Sequence, residues 1–144
     1  MKDLKDLSAS DMLVIISLGL SFLLVLVFLF WWIYPYNLVN AKQPFEIITP
    51  IVKQGEVLLY KMDYCKKTDL VPTVNRQFVD GLIYTLPVGS SVLVKGCRVI
   101  TNSIAVHKNL PPGTYYIQST AQYQVNPIRT ILYEYRTDKF EVTK

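Results

Sequence analysis

Thr114 to Val125 reads TYYIQSTAQYQV, and its alternation decides the fold class. Tyr115, Ile117, Ser119, Ala121, Tyr123 and Val125 fall on one face of an extended chain, and Tyr116, Gln118, Thr120, Gln122 and Gln124 fall on the other. One face suits a core and the other suits water, the pattern of an antiparallel strand covered on one side. Leu110-Pro111-Pro112-Gly113 precedes it with strong turn chemistry, and Asn126-Pro127 stops the ladder after it.

Working outward, Arg129 to Thr137 places Ile131, Tyr133 and Tyr135 on a common face as a hairpin partner, and Lys139 to Thr143 alternates again through Phe140 and Val142. Upstream, Phe45 to Thr49, Glu56 to Tyr64, Arg76 to Leu86 and Ser91 to Thr101 are rich in β-branched and aromatic residues, with turn signals at Pro50, Gly55, Pro72, Pro87 and Gly89. Gly96 is a candidate bulge, which would bring Cys97 and Val99 onto the face of Val92 and Val94. About seven short strands over residues 45–144 make this an all-β domain and resemble the broad immunoglobulin-like class of antiparallel β-sandwiches, with a small β-barrel as runner-up. Both tryptophans lie upstream of the domain and the cysteines are only 32 residues apart, so neither hallmark of an antibody domain is present. A sandwich of this class carries no function by itself.

Ahead of the domain the chain changes solvent. No charged residue occurs between Asp11 and Lys42, and Met12 to Ile33 departs from large apolar side chains only at Ser17, Gly19 and Ser21. At about 1.5 Å per residue the stretch crosses a hydrocarbon core of roughly 30 Å as a helix, the single-chain form that satisfies its own backbone in lipid. Trp31, Trp32, Tyr34 and Tyr36 gather at its exit as interface anchors, and Pro35 ends the hydrogen-bond ladder. Ser8, with Asp11 three residues on, resembles a capping box that starts the helix. The expected organisation is a short tail (1–11), a transmembrane helix (12–34), a tether (35–44) and the sandwich (45–144). Val39-Asn40-Ala41 has the small-residue spacing of a signal-peptidase site, but the apolar run is too long for a signal peptide and ends in two tryptophans. A buried core helix of a soluble protein is the weaker rival, because a domain of this size cannot surround it without many subunits.

Basic residues do not orient the helix, since Lys2 and Lys5 before it are balanced by Lys42 and Lys53 after it. A short N-terminal tail and two cysteines confined to the domain favour a cytoplasmic N-terminus, with the domain on the periplasmic or extracellular side. Cys65 and Cys97, the only cysteines, are then the disulfide candidate.

The inventory for chemistry is thin. His107 stands alone in a polar turn, no zinc or calcium ligand spacing occurs, and the six glycines form no phosphate loop. No catalytic residue, cofactor or metal site is assigned. From Pro35 onward 13 Lys/Arg face 8 Asp/Glu, but they are scattered in no nucleic-acid module, so specific nucleic-acid binding is not expected. Eight domain tyrosines suit a β-sheet; Tyr116, on the wet face, is the interface candidate. Ser17 and Ser21 make a small-xxx-small pair, on a stripe shared with Ser10, that would let helices approach. The expected function is a membrane-anchored, non-enzymatic structural or protein-interaction module, an accessory subunit of an envelope or virion assembly. Its expected partners are the lipid bilayer and other protein subunits, including copies of itself. The alternative is a tethered β-sandwich that binds a small ligand or glycan.

Overall fold

In the computed structural model of the chain, residues 9–144 are described. One helix and eleven strands run in the order α1 (Ala9–Ile33), β1 (Val39–Ala41), β2 (Glu46–Ile47), β3 (Ile51–Lys53), β4 (Val57–Lys66), β5 (Thr73–Val79), β6 (Ile83–Thr85), β7 (Gly89–Ser90), β8 (Gly96–Ala105), β9 (Gly113–Asn126), β10 (Arg129–Arg136) and β11 (Phe140–Thr143). Ser8, the proposed cap, lies outside the described residues.

The chain divides into two compact units. The first holds α1 and the residues after it to Pro35, together with the turn residues Asn126–Arg129. α1 runs 25 residues with a mean hydropathy of 3.0 and no buried side chain, long and apolar enough to cross a membrane. Tyr34 N–H still donates to Phe30 O at 3.0 Å, and Pro35, having no N–H, ends the ladder. The helix has no basic residue in its last turn, and Arg129 supplies the positive charge there: its Nη1 donates to Trp32 O at 2.6 Å and to Tyr34 O at 2.7 Å.

The second unit, Tyr36–Val125 with Thr130–Lys144, is mostly β and is built as two sheets. β4 is the spine of the first, flanked by β1 and β2 on one edge and by β8 along the other. The second sheet runs β3-β11-β9-β5-β6, with β10 on β9 and β7 on β5. Neither sheet closes into a barrel, which removes the runner-up architecture. Pairing is antiparallel except between β3 and β11 and at the single Phe45–Thr137 bridge, which are parallel. The all-antiparallel expectation is therefore corrected at those two places.

β4 alternates strictly, burying Leu58, Tyr60, Met62, Tyr64 and Lys66, and β9 buries Tyr115, Ile117, Ala121 and Tyr123 as its period-two pattern requires. Phe45, Phe78, Leu110, Phe140 and Val142 complete the principal core. A second cluster gathers Leu38, Val39, Val74, Ala121 and Tyr123. β10 and β11 are successive strands broken at Thr137–Lys139. There Thr137 Oγ1 accepts from the buried Ile117 N–H at 2.9 Å and Thr137 N–H donates to Ile117 O at 3.0 Å, so no backbone group of Ile117 is stranded.

Five expected strands fall within two residues of where β2, β4, β9, β10 and β11 lie; the other two change. Arg76–Leu86 splits into β5 and β6, because Asp80-Gly81 makes a turn with Gly81 at φ +107° and Asp80 Oδ1 accepting from Leu82 N–H. Ser91–Thr101 is displaced: residues 91–95 form a loop and β8 begins at Gly96, whose φ of +116° turns the chain into the strand. Gly96 is therefore a strand entry and not a bulge within a strand, and Val92 and Val94 lie outside β8. The segment read as a tether contributes β1, in which Val39 is buried and Asn40 pairs with Cys65.

Candidate functional site

β4 and the 91–95 loop organise the chemistry-bearing residues of the second unit. Tyr64 Oη donates to Val94 O at 3.2 Å, and Lys66 Nζ, on a side chain only 3% exposed, donates to Leu93 O at 2.8 Å. Burial lowers the Lys66 amine below its ordinary value, and nearby Asp69 opposes that shift. Ser91 N–H donates to Pro72 O, and Lys95 Nζ lies 3.4 Å from Asp69 Oδ2. These contacts tie the loop down along its length.

Under the loop, between the sheets, lies a cavity of about 50 Å³. Its polar lining includes Tyr60 on β4, Arg76 on β5, Asn102 on β8, Ser119 on β9, Tyr135 on β10 and Ser91 of the loop. Arg76 is its only charged side chain, and its guanidinium lies beside the Tyr60 hydroxyl. Burial raises the Tyr60 phenol, with Arg76 pulling the other way. The Tyr135 hydroxyl is buried and has no hydrogen-bond partner among the described residues. Its phenol is also raised, first by burial and then by Tyr123 and Tyr133.

The residues singled out from sequence are dispersed. Cys65 and Cys97 are joined by a disulfide; they sit directly opposite each other on β4 and β8, with Cα atoms 3.9 Å apart. Trp31 and Trp32 lie in the last turn of α1 and Tyr34 follows it, whereas Tyr36 belongs to the second unit and packs on its smaller cluster, where Tyr36 O accepts from Tyr133 Oη at 3.4 Å. Ser17 and Ser21 are exposed on α1. Tyr116 is half-buried on β9, with the Arg136 guanidinium carbon 5.9 Å from its ring centroid. His107 is exposed in a turn, its Nδ1 accepting from Asn109 N–H. Among the described residues no three His, Cys, Asp or Glu side chains gather as metal ligands.

Sequence reading passed over Arg76, Tyr60 and Tyr135. Tyr60 and Tyr135 have the spacing of core tyrosines, and only the pairing of the two sheets brings them to a cavity shared with Arg76. The one available signal was an arginine in period-two phase with the apolar Val74 and Phe78.

No family model matches the chain, and no curated protein does. Among solved structures it is similar to the Pseudomonas fluorescens alkylpurine DNA glycosylase AlkC bound to DNA containing an abasic site analogue, at 11% identity and TM-score 0.41, covering 76% of this chain and 32% of that one. It is also similar to a Listeria innocua β-glucosidase, in a mutant complexed with laminaribiose (12% identity, TM-score 0.39, 74% and 16% covered) and in a second crystal structure (12% identity, TM-score 0.38, 72% and 16% covered). The chain spans a third or less of the length of these proteins. Similarities this weak carry no argument about its activity.

Proposed function

We propose that this chain is a membrane-anchored, non-enzymatic interaction module, an accessory subunit of an envelope or virion assembly, whose immunoglobulin-like sandwich lies on the periplasmic or extracellular side. The observation that carries this reading is the exposure of large aliphatic side chains around the β6 and 91–95 segments. Leu82, Ile83, Val88, Val92 and Val94 are each more than half exposed, reaching 81% at Val92. Exposed apolar residues at this density, on a domain whose chain also carries an apolar helix, suit a surface that is covered in an assembly. The disulfide supports an oxidising compartment. Tyr115 supports the immunoglobulin-like assignment: at the start of β9 its hydroxyl donates to the backbone of Pro111 four residues upstream, in the manner of a tyrosine corner.

The test is cross-linking in native membranes followed by purification of the full chain. A complex of fixed size should form, and Val88→Asp with Val92→Asp should abolish it while leaving the circular dichroism unchanged. Ser17→Leu with Ser21→Leu reports separately on helix association, and weakened self-cross-linking would assign homo-oligomers to that stripe. A monomer in every preparation would sink the subunit reading. The tethered ligand-binder remains the second reading, favoured by the cavity between the sheets.

A further inference from the structure

We propose that the cavity between the sheets binds a small organic carboxylate, with Arg76 as its cationic anchor and the Tyr60 and Tyr135 hydroxyls as neutral donors beside it. This rests on the ligand-binder reading and is independent of the subunit reading. Three observations carry it, and all have the same sign.

Arg76 faces a cavity that no Asp or Glu lines, and the ion pairs among the described residues, Lys61–Glu46 and Lys95–Asp69, do not include it. A guanidinium gives up hydration to enter such a site and recovers it only from acceptors of good geometry. The Tyr135 hydroxyl adds a buried donor with no protein partner, a condition rare enough in folded proteins to require a cause. Tyr60 adds a third polar group on the opposite sheet. The site is rich in donors, so its complement is an anion that accepts and does not donate.

A carboxylate matches the planar fork of arginine with two oxygens. Most of the remaining lining, including Val39, Met62, Leu93 and Ala121, is apolar, with Ser91, Asn102 and Ser119 as neutral polar groups, and suits an aliphatic stub better than a hydrated inorganic ion. Size restricts the ligand further. One water needs about 10 to 15 Å³ by the same measure, so the cavity takes a head group and very few carbons.

The same chemistry is carried by a free short-chain acid and by the C-terminus of a peptide. The full chain in neutral detergent would be titrated with butyrate, with butyramide, and with an N-acetylated dipeptide bearing a free carboxylate. The readouts are the arginine Nε–H and tyrosine ring NMR signals. Butyrate or the dipeptide should saturate the Arg76 signal, the tighter of the two naming the source, while butyramide binds at least about tenfold more weakly, the factor expected for loss of one charged hydrogen bond. Arg76→Met should erase the response to either carboxylate. Should that variant fail to fold, Tyr135→Phe removes one hydroxyl with little change of shape and should weaken binding about tenfold. Equal affinity for butyramide and butyrate, no saturable response in the folded wild-type protein, or full binding in a folded Arg76→Met variant would overturn the proposal; the second of these would leave the cavity as solvent space.

Discussion

Tyr115 is fully enclosed at the head of β9, where its hydroxyl donates to Pro111 O at 2.8 Å. Burial, reinforced by Asp80 and Tyr84, pushes its phenol up to about 12 from an ordinary value of 10.0. Tyr123 is enclosed at the centre of the smaller cluster and is pushed to about 12 by burial and then by Tyr133. Both shifts favour the protonated form in the folded state. Their contribution to stability is therefore fully present below about pH 10, the unfolded value, and is lost as the pH rises towards about 12. The domain should lose melting temperature steeply across that interval, with tyrosinate absorbance and loss of β circular dichroism rising together. Complete tyrosine ionisation near pH 10 in a domain that stays folded would contradict the enclosure of these two rings. At this scale the sequence shows which side of β9 faces inward, because alternation alone sorts Tyr115 from Tyr116. It does not show where a hydroxyl finds its acceptor, since Pro111 reaches Tyr115 only through the path of the intervening turn.

Elements were legible where the side-chain period and the turn chemistry agreed. β4, β9, β10 and β11 satisfy both, whereas residues 91–95 alternate like a strand and form a loop, because Tyr64, Lys66 and Pro72 hold them out of the sheet. The same displacement starts β8 at Gly96 and sets Cys97 opposite Cys65 in the ladder. The bridge closes a loop of 32 residues around β5, β6, β7 and the 91–95 segment. Restricting such a loop in the unfolded chain is worth about 3 to 4 kcal/mol in the chain-entropy treatment, and engineered bridges often deliver less. Replacing both cysteines by alanine should lower stability by up to that amount while β4 and β8 remain paired, since their ladder extends from Val57–Ala105 to Lys66–Gly96. Non-reducing alkylation and mass spectrometry on the native chain should find neither thiol modified. Alkylation at both positions without reductant would refute the bridge and remove one support for an oxidising compartment.

For the whole molecule, the division near Pro35 follows from solvent: the side chains of α1 bury nothing within the chain, while the second unit has its own core of Leu58, Tyr60, Phe78, Tyr115, Ile117 and Phe140. Where the folded unit begins was harder to read. Leu38 and Val39 lie in a short polar stretch, NLVNAKQP, that resembles a linker, and only their burial against Val74, Ala121 and Tyr123 shows that the domain starts before Phe45. Leu38 N–H donates to Tyr133 Oη at 3.0 Å, Lys67 N–H to Leu38 O at 2.8 Å, and Lys42 N–H to Asp63 O at 3.0 Å, so the segment is bonded to both sheets. A fragment beginning at Tyr36 should therefore be soluble without detergent and give a cooperative melt with a β-dominated circular dichroism spectrum. A fragment beginning at Phe45 lacks β1 and the buried side chains of Leu38 and Val39. Removing two such side chains exposes apolar surface worth about 1.5 to 3 kcal/mol each, a large part of the stability of a domain this size. Its melting temperature should fall by ten degrees or more, on the order of 4 to 8 °C per kcal/mol. Identical melting of the two fragments would return residues 36–44 to the role of a tether, and a helix-dominated spectrum from either would overturn the two-sheet fold.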